Sequence, residues 1–170
     1  MAADGAALLH ATAIALAVDP DGPLAGVLLL GPSGAGKSSL ALAAIETCPF
    51  RRTRLVADDQ ALITPDGEAS APRALCGLIE IRGFGPARLP AADRARLIAA
   101  FDLGAGAERV PAPLWRELAP GIRVPVHSFR WTGAESSAAH RLRVTVRQVL
   151  CGQSCEVTQD VQPQRGRKPS

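Results

Sequence analysis

The chain has 170 residues, of which 47% are hydrophobic and 21% charged, with a formal net charge of +3. That balance fits one folded domain with a full apolar core rather than a disordered chain, and no apolar run approaches the ~20 residues a membrane span needs. Aromatic residues make up only 4% and Tyr is absent, which argues against a base-stacking surface for nucleic acid.

The positive charge is almost all Arg, scattered apart from residues 51–54 and 141–147; both clusters read as solvated faces and ion pairs, with a docking patch for an acidic partner as the alternative. Of the four cysteines, only Cys151 and Cys155 are close together. One pair without a nearby His does not complete a tetrahedral zinc site, so Cys48, Cys76, Cys151 and Cys155 are read as free thiols in a reducing compartment. The N-terminus lacks the basic start and long apolar run of a signal peptide, and the expected location is the cytoplasm.

Taken in chain order, Leu8 to Val18 reads as a strand, and Asp19-Pro20-Asp21-Gly22-Pro23 as a turn. Val27 to Leu30 is a short buried strand, and Lys37 to Thr47 an Ala- and Leu-rich helix ended by Pro49. Arg54 to Ala57 is a strand running into Asp58-Asp59. Ala61 to Thr64, with the Pro65-Asp66-Gly67 turn, predicts a hairpin. Leu78 to Arg82 is a further strand. Ala91 to Phe101 is expected to be helical, with mobility near Gly104-Ala105-Gly106. Alternation of Leu142, Val144 and Val146 with Arg141, Arg143 and Arg147 predicts an edge strand with one wet face. The expected organisation is one domain over residues 1–158 and a disordered basic tail over 159–170.

The strongest motif is Gly31-Pro32-Ser33-Gly34-Ala35-Gly36-Lys37-Ser38, a complete G-x-x-x-x-G-K-[ST] loop between a predicted strand and a predicted helix. Its glycines let successive N–H groups turn inward toward phosphate oxygens, and the helix dipole adds to the attraction. Lys37 is expected to contact the β- and γ-phosphates, and Ser38 to coordinate Mg²⁺. Asp58-Asp59 ends a strand, where open α/β sheets place ligands. One carboxylate suits a metal or its waters, and the other the proton of an attacking hydroxyl.

With these elements in order, the chain resembles HPr kinase/phosphorylase. The resemblance is carried by His10, the loop Gly31 to Ser38, Leu55-Val56-Ala57-Asp58-Asp59, and Ile79-Glu80-Ile81-Arg82-Gly83-Phe84-Gly85. It covers about His10 to Arg82, and more loosely reaches Pro125. It implies an α/β P-loop nucleotide-binding domain of the phosphoenolpyruvate-carboxykinase-like type with a mixed sheet, in the short, catalytic-domain-only form of alphaproteobacteria. It also implies ATP- and Mg²⁺-dependent phosphorylation of a serine of HPr or an HPr-like carrier protein.

In that reading Asp59 is the base toward the seryl hydroxyl and Asp58 supports it. His10 positions the reacting phosphate, Glu80 is a second Mg²⁺ contact, and Arg82 and Arg109 belong to the catalytic set. The family resemblance further implies a homo-hexamer, while composition and the lack of a long apolar run predict neither a nucleic acid nor a membrane as partner. The sequence departs from the family at Ser39, usually acidic. It also departs at residues 123–129, where a segment associated with dephosphorylation is not recognisable. The kinase direction is therefore expected before the phosphorylase direction. A small-molecule kinase or ATPase, and a nucleotide-binding regulator without catalysis, stand as rival readings.

Overall fold

The structure, a computed structural model, describes residues 5–104, 112–131 and 135–152. Arg109, Ala105, Gly106, Cys155 and the tail from residue 159 lie outside the described residues. Among the described residues, nine strands form one mixed sheet. Its path begins with β1 (Ala7–Leu9), β5 (Ala61–Ile63), β6 (Glu68–Ser70) and β9 (Arg94–Asp102). It continues through β3 (Ala25–Leu30) and β2 (Thr12–Leu16) to β4 (Arg54–Ala57). Strand β11 (Ile122–Ser128) joins β9 beyond the point where β6 leaves it, and β10 (Leu114–Ala119) pairs with β11. A separate hairpin is made by β7 (Leu78–Ile81) and β8 (Gly85–Arg88). Two helices, α1 (Lys37–Glu46) and α2 (Glu135–Leu150), complete the described fold.

The period-2 alternation of strand side chains divides the core into two layers. Ile14, Leu16, Val27 and Leu29 face one way and pack with Leu40, Ala44, Phe101, Leu142 and Val146 under the helices. Ala13, Ala15, Leu28 and Leu30 face the other way, with Val56, Ile63, Leu118 and Val126. The helices are locked by buried Arg143, whose Nε donates to the Ala17 carbonyl at 3.1 Å and whose Nη2 donates to the Ala44 carbonyl at 3.0 Å. Arg147 donates to the Val18 carbonyl at 2.6 Å.

Two sequence expectations are corrected. The stretch expected as a helix, Ala91 to Phe101, forms the central strand β9 from Arg94. Its Ala content favours a helix locally, but burial between β3 and β11 overrides propensity. Its first half does alternate, with exposed Arg94 and Arg96 around buried Ala95 and Leu97. The expected edge strand at 141–147 is instead part of α2. The buried positions Ala138, Ala139, Leu142, Arg143 and Val146 follow a helical stripe, while Val144 is 50% exposed.

A third correction concerns the expected solvated Arg cluster at 141–147: Arg143 is buried and spends its guanidinium on backbone carbonyls. The strands expected at 27–30 and 54–57 and the helix expected at 37–47 form, with one refinement to the first strand. The 61–70 hairpin forms as read, and the α/β class with a mixed sheet is correct. The first strand is broken at His10, because β1 pairs with β5 while β2 pairs with β3 and β4. Cys48, Cys76 and Cys151 are free thiols. No helix among the described residues is long and apolar enough to cross a membrane.

Strand direction creates the working edge. Strands β3, β9 and β11 are mutually parallel, while β2 runs antiparallel to both β3 and β4. The carboxyl ends of β3, β4, β9 and β11 therefore meet the amino end of β2 along one edge. Gly31, Asp58, Asp102, Phe129 and His10 all lie there.

His127, on β11, stacks against Phe101 with ring centroids 5.4 Å apart, and its Nε2 is buried with no hydrogen-bond partner among the described residues. Burial pushes its pKa below the usual imidazole value of 6.5. The unfolded chain therefore binds this proton more readily, and stability contributed by neutral His127 is lost as pH falls below about 6.5. Denaturation midpoints compared at about pH 7.5 and about pH 5.5 should drop more for the native chain than for His127→Phe. An equal drop in both would remove His127 from this dependence.

Candidate active site

The loop after β3 has the backbone its glycines permit. Gly31, Gly34 and Gly36 have φ of 137°, 81° and 88°, values that strain any residue with a Cβ. Lys37 opens α1 directly behind the loop and is buried. Its Nζ donates to the Gly31 carbonyl at 2.9 Å, the Pro32 carbonyl at 3.1 Å and His10 Nε2 at 3.1 Å. An ammonium group has three N–H donors and no acceptor. His10 Nε2 therefore accepts, which leaves the ring proton on Nδ1.

That Nδ1 lies 2.9 Å from Asp59 Oδ1 and 3.2 Å from the Asp59 carbonyl. Lys37, His10 and Asp59 thus form a directed chain, each donating to the next. His10 and Asp59 remain open to solvent, with side chains 50% and 68% exposed. Asp59 adopts φ 63°, one of two described non-glycine residues with positive φ; Asp tolerates this region better than most residues.

Asp58 has the opposite surroundings. Its carboxylate is buried, and Oδ1 accepts from Thr12 Oγ1 and Ser38 Oγ, each at 2.8 Å. Its Oδ2 accepts from the Glu80 backbone N–H at 3.1 Å. The last bond draws the β7–β8 hairpin onto the loop. A Cβ built on Gly34 would lie 4.0 Å from Arg82 Nη2. His10, Lys37, Ser38, Asp59, Glu80 and Arg82 line one cleft of about 440 Å³.

The described residues contain no group of three or more His, Cys, Asp or Glu side chains suited to a metal ion. The available donors are oxygens, the hydroxyl of Ser38 with Asp58 beside it and the Glu80 carboxylate at the cleft wall. That set fits Mg²⁺, which favours one or two protein oxygens, phosphate oxygens and retained waters over a protein cage. Nearly all the expected site residues are thus gathered in one place, and Arg109 alone lies outside the described residues.

Sequence reasoning missed two contributors. Thr12 is fully buried and bonded to Asp58; a polar residue inside an otherwise apolar strand was the available signal. Trp131 donates its Nε1–H to the Ala35 carbonyl at 3.1 Å, across 96 positions of sequence. No local pattern could have linked it to the loop.

Comparison with known proteins gives a consistent picture. No family model matches the chain. It is 50% identical over 64 residues to an HPr kinase/phosphorylase of Caldanaerobacter subterraneus subsp. tengcongensis, covering 35% of this chain and 20% of that protein. It is 43% identical over 77 residues to an HPr kinase/phosphorylase of Chlorobium phaeobacteroides, covering 43% of this chain and 22% of that protein. The matched stretch therefore spans about a fifth of the length of these curated relatives. In fold, the chain is similar to the HPr(Ser) kinase/phosphatase of Coxiella burnetii, with a TM-score of 0.68 and 24% identity. That similarity covers 86% of this chain and 92% of the other.

Because Asp58 is buried, the Thr12 hydroxyl has a measurable role. Thr12→Val should lower stability by about 1–3 kcal/mol, the usual cost of leaving a buried acceptor short of a donor. Thr12→Ser should retain most of it, as read by urea denaturation. In sequence over part of its length the chain is similar to HPr kinase/phosphorylases, and in fold over most of its length it is similar to an HPr(Ser) kinase/phosphatase.

Proposed function

We propose that this chain transfers the γ-phosphoryl group of Mg²⁺-bound ATP to a serine of HPr or an HPr-like carrier protein. The observation that carries the reading is the meeting of two hydrogen-bonded sets in one cleft. Ser38 with Asp58 forms a metal-side pair, and Lys37, His10 and Asp59 form an acceptor-side chain. When bound, Mg·ATP supplies the transferable group and neutralises charge developing on its phosphates.

The residues divide the remaining work. Backbone N–H groups of the loop and the positive end of α1 bind the phosphates. Lys37 already uses its three N–H groups on Gly31, Pro32 and His10, so it must release at least one of these to reach a phosphate oxygen. Ser38, with Asp58 behind it and Glu80 at the cleft wall, holds the metal. Asp59, oriented by the Nδ1–H of His10, receives the seryl proton as the serine oxygen bonds to phosphorus and the β–γ bridge breaks. Arg82, at the mouth of the loop, stabilises the spreading phosphoryl charge. Phosphoryl transfer demands positioning and charge stabilisation more than covalent work, and these are what the cleft offers.

The exposure of His10 and Asp59 supports a protein acceptor. A hydroxyl on the surface of a folded carrier can approach them without a closed chamber. The forward direction is favoured because residues 123–129 lack a recognisable form of the segment associated with dephosphorylation.

The test is transfer of labelled γ-phosphate from Mg·ATP to purified HPr from the same cell. Label is expected on an HPr serine and absent with Lys37→Ala. Asp59→Asn should reduce transfer by about 100-fold or more, the scale of losing a positioned base, while ATP still binds. Equal loss of ATP binding in Asp59→Asn would count against the base assignment. ATP binding by the native chain without label on HPr would overturn the kinase reading in favour of a regulatory or small-molecule role.

A further inference from the structure

The loop at 31–38 is braced by a residue far along the chain, which also lines the cleft. Trp131 follows β11, and its indole Nε1–H donates to the Ala35 carbonyl at 3.1 Å. Its six-membered ring lies against Gly36. A Cβ built there would sit 2.1 Å from Cζ2, 2.9 Å from Cε2 and 3.2 Å from Cη2 of Trp131. Gly36 is therefore required twice, once for its φ of 88° and once for the room the indole takes.

The direction of this bond matters. The described chain has no cis peptide, so the Ala35 carbonyl and the Gly36 N–H point to opposite sides of one planar unit. A donor that fixes the direction of the carbonyl therefore also fixes the direction of the N–H. Gly36 immediately precedes Lys37, at the entrance of α1. Its N–H thus belongs to the row that faces an anion at the helix terminus. If this peptide flipped, it would present a carbonyl to the phosphate and replace attraction with repulsion.

We propose that Trp131 is a positioning residue for the phosphate cradle, setting the Ala35–Gly36 peptide so that the Gly36 N–H serves as a phosphate donor. The inference rests on the reading of the loop as a phosphate site and adds to it a device from outside the motif. The alternative is that Trp131 forms a stacking platform for the nucleotide base. The geometry favours the brace, because Nε1 donates to Ala35 and the adjoining ring edge fills the space a Cβ at Gly36 would need. That side of the ring is committed to the loop.

The two roles separate when the base is removed from the ligand. Calorimetric titration of Mg·ADP and of Mg·pyrophosphate onto the native chain and Trp131→Phe distinguishes them. Phe keeps an aromatic ring and removes the N–H. The brace predicts that both ligands weaken by the same factor, about 2- to 10-fold, the scale of one hydrogen bond. Weakening of ADP alone would assign the ring to the base and overturn the proposal, as would no change in either. If the native chain binds neither ligand, the phosphate-site reading itself falls, which is visible without any variant.

A measurement on the native chain guards against a variant that does not fold. The indole N–H resonance of Trp131, distinguished from that of Trp115 by Trp115→Phe, should exchange slowly with solvent. It should stay protected when Mg·pyrophosphate binds. Fast exchange in the ligand-bound state would show that the bond is not kept and would overturn the brace.

Discussion

Asp58 is only 7% exposed, yet its carboxylate takes donors from three separate parts of the chain. The hydroxyl of Thr12 comes from β2, the hydroxyl of Ser38 from the first turn of α1, and the N–H of Glu80 from β7. A buried acid left unpaired would cost several kcal/mol, so the fold must bring all these groups within reach or forgo the charge. This one requirement ties the end of β4 to its neighbour strand, to the helix behind the phosphate loop and to a hairpin outside the main sheet. The cleft is a consequence. With Glu80 N–H bound to Asp58, the hairpin brings Arg82 and the Glu80 carboxylate to the same opening as Lys37.

The rest of the fold keeps that cluster from shifting. Arg143 reaches from α2 to carbonyls at the end of β2 and in the last turn of α1. A cation there meets the negative end of the α1 dipole, while the positive end faces the phosphate loop. Helix α1 is thereby held at both ends by groups distant in sequence, Arg143 at one and the Trp131-braced loop at the other. Both lie downstream of β9, so the C-terminal third of the chain fixes the geometry of a motif written near its beginning.

This arrangement explains what could be read in advance. The glycine-rich loop at 31–38, Asp58-Asp59 at a strand end and the Glu80-Arg82 hairpin are short segments whose pattern is local. Their residue types and spacing are informative because a single turn or strand end does the work. By contrast, β9 was misread because its Ala-rich second half, buried on both faces, loses the alternation that its first half keeps. Three apolar residues at every second position of α2 imitated a strand, although Val144 among them faces solvent. Thr12 and Trp131 escaped notice for a different reason. Their value lies in a partner 46 or 96 residues away, which no local period encodes.

The two neighbouring acids illustrate how backbone geometry assigns chemistry. Asp58 and Asp59 are identical in type and adjacent in sequence, yet one is enclosed by three donors while the other stands in solvent against a single imidazole. The difference originates in the turn that ends β4. Gln60 N–H donates to the Asp58 carbonyl at 2.7 Å, and Asp59 between them adopts positive φ. That turn directs the first side chain inward and the second outward. A carboxylate saturated by neutral donors beside a serine hydroxyl is suited to sit behind a cation. A carboxylate with open positions, aligned by one ring N–H, is suited to receive a proton from an incoming group. A substitution that moved Asp59 out of the left-handed region would leave both acids present but erase the distinction between them, because the difference lies in the turn and not in the residue type.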